Sequence, residues 1–243
     1  MKNWVWIVLV ALISYLTIKI FKIPFFAFLI VGIPVLTIIL TYVSFHYSFR
    51  PLLNPEPIPA KGYEPRIIEL ERDVPVLKQM GFDKIDSFYL KMIPDSIVYV
   101  FKKKEGPVYF CLYHLGTKKA CDIVSYFEKN ITLTTCNNVD GGMTPRPDNR
   151  LLQIFEKLSY IAFLERHQQA QEFIRGRGFK QTEAPSVTFR EDFMKGIREF
   201  ADYVKKISFW PLLLIIWTIT KRGRIYLNKS IEEQYRSGMI KTL

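Results

Sequence analysis

The chain has 243 residues, 34 Lys+Arg against 23 Asp+Glu, and a net charge of +11. A 49% hydrophobic and 15% aromatic content excludes a disordered or low-complexity chain, because such chains lack the apolar side chains that offset chain entropy. Three cysteines exclude a self-contained disulfide scaffold. The charge distribution argues against nucleic acid as a partner, since +8 of the +11 falls in residues 1–50 and 207–243. Basic residues flanking apolar runs are first the chemistry of a lipid surface.

No charged residue occurs from Asn3 to Ile18 or from Ile23 to Phe45, and Lys19 and Lys22 separate the two runs. At about 1.5 Å per residue these runs reach roughly 24 and 35 Å, against a hydrocarbon core of about 30 Å. The pattern predicts a two-span transmembrane helical hairpin over residues 1–50, with Trp4 and Trp6 at one interface. A signal peptide fits poorly, because no small-x-small cleavage site follows the first run. The positive-inside rule places the main domain in the cytoplasm, and the protein as an integral component of the plasma (inner) membrane. The odd cysteine count agrees with a reducing compartment.

Residues 51–66 hold five prolines and read as a semi-rigid linker in extended polyproline II. Residues 67–190 read as an α+β domain. A helix interrupted at Pro75 comes first, closed by Gly81. Period-two alternation then predicts five strands, Lys84–Met92, Ser96–Lys103, Pro107–Leu115, Lys119–Phe127 and Asn130–Cys136, joined by short turns into an antiparallel meander. A breaker-rich loop, Asn137–Arg150, leads to an expected short helix over Leu151–Leu158, capped by Asp148 or Asn149. A longer helix follows over Tyr160–Arg175.

Residues 191–243 read as amphipathic and membrane-interfacial helices with a basic tail. Phe193, Ile197, Phe200, Val204 and Ile207 recur at steps of four and three, one face of a helix. The apolar stretch Ile207–Thr220 is fenced by Lys206 and Lys221 and is short for a span. Trp210, Trp217, Lys221, Arg222 and Arg224 are the expected membrane contacts. The alternatives are that both helices belong to the core of the α+β domain, or that residues 207–220 form a third span.

Candidate chemistry is sparse. A three-residue turn at 116–118 and a two-residue turn at 129–130 would bring Cys111, Cys121 and Cys136 to one face of adjacent strands, a thiol cluster able to serve as a redox or metal site. A two-residue first turn would instead move Cys111 to the other face, and without C-x-x-C spacing the thiols also read as small core hydrophobes. His114 is three residues from Cys111, so on a strand the two face apart. His167 lies on the apolar stripe of its helix and points toward the sheet. The loop around Asp140-Gly141-Gly142 and Arg146 lacks cation-loop spacing, and nucleotide-binding glycine motifs are missing from the sequence. The sequence therefore predicts no metal, no cofactor and no catalytic residue set. It predicts a non-catalytic, membrane-anchored accessory protein whose α+β domain docks on a membrane-protein complex or on a second copy of itself. A lipid-binding module and a thiol-dependent membrane enzyme are the alternatives. The lipid bilayer is an expected partner, and nucleic acid is not.

Overall fold

The central element is a mixed sheet in the order β1-β2-β3-β4-β5-β6. Its strands are β1 Phe82–Leu90, β2 Ser96–Lys103, β3 Val108–Leu115, β4 Lys118–Phe127, β5 Ile131–Cys136 and β6 Arg150–Ile154. A two-residue strand, β7 Gln181–Thr182, pairs with the end of β4 at Phe127 and Tyr126. The helices are α1 Ile33–Ser48, α2 Glu64–Glu71, α3 Val74–Gln79, α4 Tyr160–Gly176, α5 Phe189–Lys206, α6 Trp210–Ile219 and α7 Ile231–Arg236. The computed structural model describes residues 32–48, 54–59, 61–91, 95–138 and 145–243, with Leu12, Tyr15, Leu16 and Lys19 as isolated positions before them.

Strands β1 to β5 run antiparallel, close to where alternation places them. The sixth strand departs from expectation. Arg150–Ile154 pairs parallel to β5 in place of the expected helix over Leu151–Leu158. Leu151, Leu152, Gln153 and Ile154 are all buried, so this segment is covered on both faces, and a strand covered on both faces shows no alternation in its sequence. The Pro75 interruption divides α2 from α3, and Pro75 then occupies the first turn of α3, where a missing N–H costs little.

Both faces of the sheet are covered. Leu70 of α2, Leu77 of α3 and Phe163 of α4 pack on one face with Tyr99, Phe110 and Ile123. Phe189 and Met194 of α5 pack on the other with Val98, Val100, Tyr109 and Cys111, and Phe193 and Ile197 join them. The first part of the stripe read as membrane-facing therefore covers the sheet, while Phe200, Val204 and Ile207 pack with Phe45, Trp210 and Leu214 of α1 and α6. Glu56, inside the proline-rich run, exchanges two backbone hydrogen bonds with Tyr89 at 2.9 and 2.8 Å, so this part of the expected linker lies along the β1 edge.

Among the described residues no helix is long and apolar enough to cross a membrane. This finding corrects the membrane-anchored architecture and the integral-membrane localisation expected from the apolar ends. Helix α1 has 16 residues, about 24 Å at 1.5 Å per residue, short of a hydrocarbon core of about 30 Å. The first apolar run, with Trp4 and Trp6, falls almost wholly outside the described residues. At the other end, Trp210 is buried against Phe45 and Tyr42 of α1, with ring centroids 4.6 and 5.5 Å apart. The basic tail turns back onto the sheet: Asn228 N–H donates to the Ile154 carbonyl at 2.7 Å, and Gln234 Nε2 donates to the Leu152 carbonyl at 2.8 Å. It covers the free edge of β6, whose backbone groups need partners.

Two polar clusters tie the helices to the sheet. Arg66 of α2 donates from Nε to His114 Nδ1 at 3.0 Å and from Nη1 to Asp95 Oδ2 at 2.9 Å, and Glu69 meets His114 Nε2 at 3.0 Å. Under α4, His167 lies between Ser125 Oγ at 2.9 Å and Thr135 Oγ1 at 2.7 Å. Those hydroxyls also accept from Gln171 and Gln153. Burial pushes the His167 pKa down to about 3, and Lys103 acts in the same direction. A folded-state pKa below the unfolded value of about 6.5 gives stability that is fully present above 6.5 and is lost as pH falls toward 3. In urea denaturation, His167→Gln should cost about 1–3 kcal/mol at pH 7, and its deficit should shrink between pH 6.5 and 3 as the wild-type chain loses stability.

Candidate functional site

Between α5 and the sheet lies a cleft of about 520 Å³. Its floor is the face of β3, β4 and β5 that carries Tyr113, Asp122, Val124 and Thr134; Phe193, Ile197 and Phe200 of α5 form its roof. Antiparallel pairing of Cys111 with Asp122 and of Asp122 with Cys136 fixes this floor, since paired residues share a face. Gly196 interrupts the roof. A Cβ built there would meet no atom within 4 Å, so the missing side chain leaves open space beside the helix.

The cleft has an apolar flank and a polar end. Burial raises the Asp122 carboxyl to a pKa of about 6, against the opposing pull of Arg146 and of a hydrogen bond from Tyr113. Arg146 reaches this end from the segment before β6, and burial lowers its pKa while Cys136 and Asp122 support its charge. At the rim, Arg150 donates to Thr132 Oγ1 at 2.7 Å and forms an ion pair with Glu199. Asp192 is occupied structurally, accepting from the Ser186 N–H at 3.0 Å and from its hydroxyl at 2.6 Å. Tyr109 stacks on Phe189 with ring centroids 4.6 Å apart, which anchors the start of α5 over the sheet. The site thus combines aromatic walls with one carboxyl whose charge changes near pH 6.

The sequence-derived candidates are placed differently. The turn between β3 and β4 has two residues, Gly116 and Thr117, because Leu115 pairs with Lys118. The loop between β4 and β5 has three, because Phe127 pairs with Ile131. Each differs by one residue from the turns that would gather the thiols, and a one-residue shift reverses the face of a strand. Cys121 therefore pairs with Leu112 on the α4 side, while Cys111 and Cys136 face the α5 side with Asp122 between them. All three are free and buried, and burial raises the pKa of Cys111 and Cys121, the opposite of what an attacking thiolate needs. Among the described residues no group of three or more His, Cys, Asp or Glu is arranged to hold a metal ion.

His114 and His167 both lie on the face opposite the cleft, bound by Arg66 and Glu69 and by Ser125 and Thr135. Neither can serve as a base to Asp122 or Cys111 through the thickness of the sheet. Trp217 and Arg222 sit together beyond α5, the guanidinium 5.8 Å from the ring centroid. Lys221 and Arg224 are exposed nearby. The residue that sequence reading missed is Asp122. A lone carboxylate within a strand whose neighbours are apolar on both sides is its one visible signal, since such a group is costly to bury without purpose.

Comparison with protein-family models, with curated proteins and with solved structures finds no match to this chain. The geometry carries the functional argument.

A raised folded-state pKa gives Asp122 a contribution that is fully present below the unfolded carboxyl value of about 3.9 and is lost as pH rises through about 6. Asp122→Asn should therefore raise stability at pH 8 by about 1–2 kcal/mol, allowing for partial solvent access, and change little at pH 4. Denaturant midpoints at the two pH values measure the difference.

Proposed function

We propose that this chain is a non-catalytic binding module whose cleft between α5 and the sheet takes a small amphiphile. The apolar part of the ligand would lie between Val124 and the Phe193, Ile197 and Phe200 side chains. Its polar group would meet Asp122, Tyr113 and Arg146. The observation that carries this reading is the cleft itself: about 520 Å³ lies within the range of about 300–1,000 Å³ typical of small-molecule sites, which are mostly apolar with a few convergent polar groups. Aromatic residues that leave space inside an otherwise close-packed layer also support it, because an unfilled apolar gap forfeits dispersion contacts.

A thiol-dependent enzyme gains no support from this geometry. The thiols are buried, burial raises the pKa of Cys111 and Cys121, and the histidines are across the sheet. An Asp122 carboxyl without a partnered nucleophile or base does not make up an acid–base set. Binding, by contrast, needs only the walls and the polar end.

Gly196 provides the test. Replacing a helical glycine where the added atoms meet open space raises helix propensity, by about 0.5–1 kcal/mol for alanine. A larger side chain at that position would occupy the cleft. A fluorescent fatty acid titrated into the wild-type chain should show saturable binding. Gly196→Leu should weaken that binding at least tenfold with an unchanged or higher melting temperature. If the wild-type chain does not bind, or if Gly196→Leu binds equally well, this reading fails.

A further inference from the structure

The described parts of the two apolar ends, α1 and α6, lie outside the cleft and meet elsewhere in the fold. Helices α1 and α6 pack on each other through Phe45, Trp210 and Leu214. Among the described residues nothing covers their outward faces. Ile39 and Val43 of α1, and Leu212, Ile216 and Ile219 of α6, are exposed, Ile219 to 74%. Phe209, at the start of α6, is 83% exposed and has a left-handed backbone at φ 55°. Exposed large apolar side chains concentrated on two helices that pack together mark an interaction site.

The surrounding charge identifies the partner. Lys205 and Lys206 precede this face, and Lys221, Arg222 and Arg224 follow it. No acidic residue occurs from 203 to 231. Among the described residues, none of the five basic side chains enters an ion pair. A protein surface that docked here would need an apolar patch ringed by acidic groups. An anionic phospholipid surface supplies both properties at once, since its headgroups carry the charge and its acyl boundary accepts the apolar side chains. We propose that the exposed α1/α6 face docks on an anionic phospholipid surface. The ten residues of α6 span about 15 Å, half the thickness of a hydrocarbon core. The contact therefore runs along the surface and does not cross it. Trp210 takes no part, being enclosed between the helices, whereas Phe209 and Ile219 supply the insertion.

This inference rests on residues outside the cleft and stands apart from the amphiphile reading. A local probe separates contact at this face from attachment by any other part of the chain. Ile219→Cys in the full chain provides one exposed thiol, while Cys111, Cys121 and Cys136 are buried, so an environment-sensitive dye reports on position 219. Vesicles of equimolar phosphatidylcholine and phosphatidylglycerol should shift its emission to the blue. Pure phosphatidylcholine should do so weakly, and salt near 0.5 M should weaken the effect, because screening shortens the reach of exposed charge to a few ångströms. Changing Lys221, Arg222 and Arg224 together to Gln should weaken the partition by about 100-fold at low salt, near fivefold for each basic residue. Three results overturn the proposal. The protein floats with the vesicles while the dye stays unshifted, the dye shifts without vesicles as protein concentration rises, or the phosphatidylglycerol vesicles have no effect. The second result assigns the face to another copy of the chain.

Discussion

The two-residue turn at Gly116 and Thr117 sets the register of β3 against β4, and the rest of the molecule follows from that register. Gly116 takes φ 58°, the left-handed conformation that tight hairpin loops favour at a position without a Cβ. Leu115 then pairs with Lys118, and every side chain of the two central strands is assigned to a face. Cys111, Tyr113, Asp122 and Tyr126 turn toward α5. Leu112, His114, Cys121 and Ser125 turn toward α2 and α4. One residue more in that turn would move Asp122 into the α4 layer and remove the polar end of the cleft.

The two layers handle buried polarity in opposite ways. Beneath α4, His167, Ser125, Thr135, Gln153 and Gln171 form a closed network in which each group finds a partner. A fully satisfied network of this type favours one packing arrangement and resists a change of charge, and the depressed histidine pKa expresses that resistance. Beneath α5, Asp122 sits beside Arg146 and Tyr113 at the end of an unfilled cleft, with a pKa raised by burial. Its environment moves the carboxyl's titration from the usual acid range up to about pH 6. The first layer holds the sheet to its helix, and the second retains a carboxyl at the end of an open cleft.

The distribution of apolar residues follows a similar division. Helix α5 uses the first part of its stripe, Phe193 and Ile197, to close the sheet and the rest, Phe200, Val204 and Ile207, to pack with α1 and α6, which bury the faces they turn to each other and to α5. Trp210 is enclosed in that contact, whereas Phe209 and Ile219 remain in solvent. Adjacent residues of one apolar segment thus have different roles, because a helix distributes its side chains around its axis at 3.6 residues per turn.

The local elements were legible in the sequence. Alternation located β1 to β5, Pro75 divided the first helix, and steps of four and three identified α5, because these patterns depend on near neighbours along the chain. Tertiary structure decided the remainder. Whether the α5 stripe meets lipid or a sheet depends on what lies opposite it, and no sequence period records that. The expected membrane-crossing architecture failed for the same reason: apolar length alone does not distinguish a span from a helix that packs on a partner, as α1 and α6 do. Arg150–Ile154 is covered on both faces and so lacks the alternation that would mark it as a strand. The cleft is the clearest case. Tyr113, Asp122, Arg146 and Gly196 are spread over 84 positions of the sequence, and they meet only because a one-residue difference in a hairpin loop turns their strands to the same side.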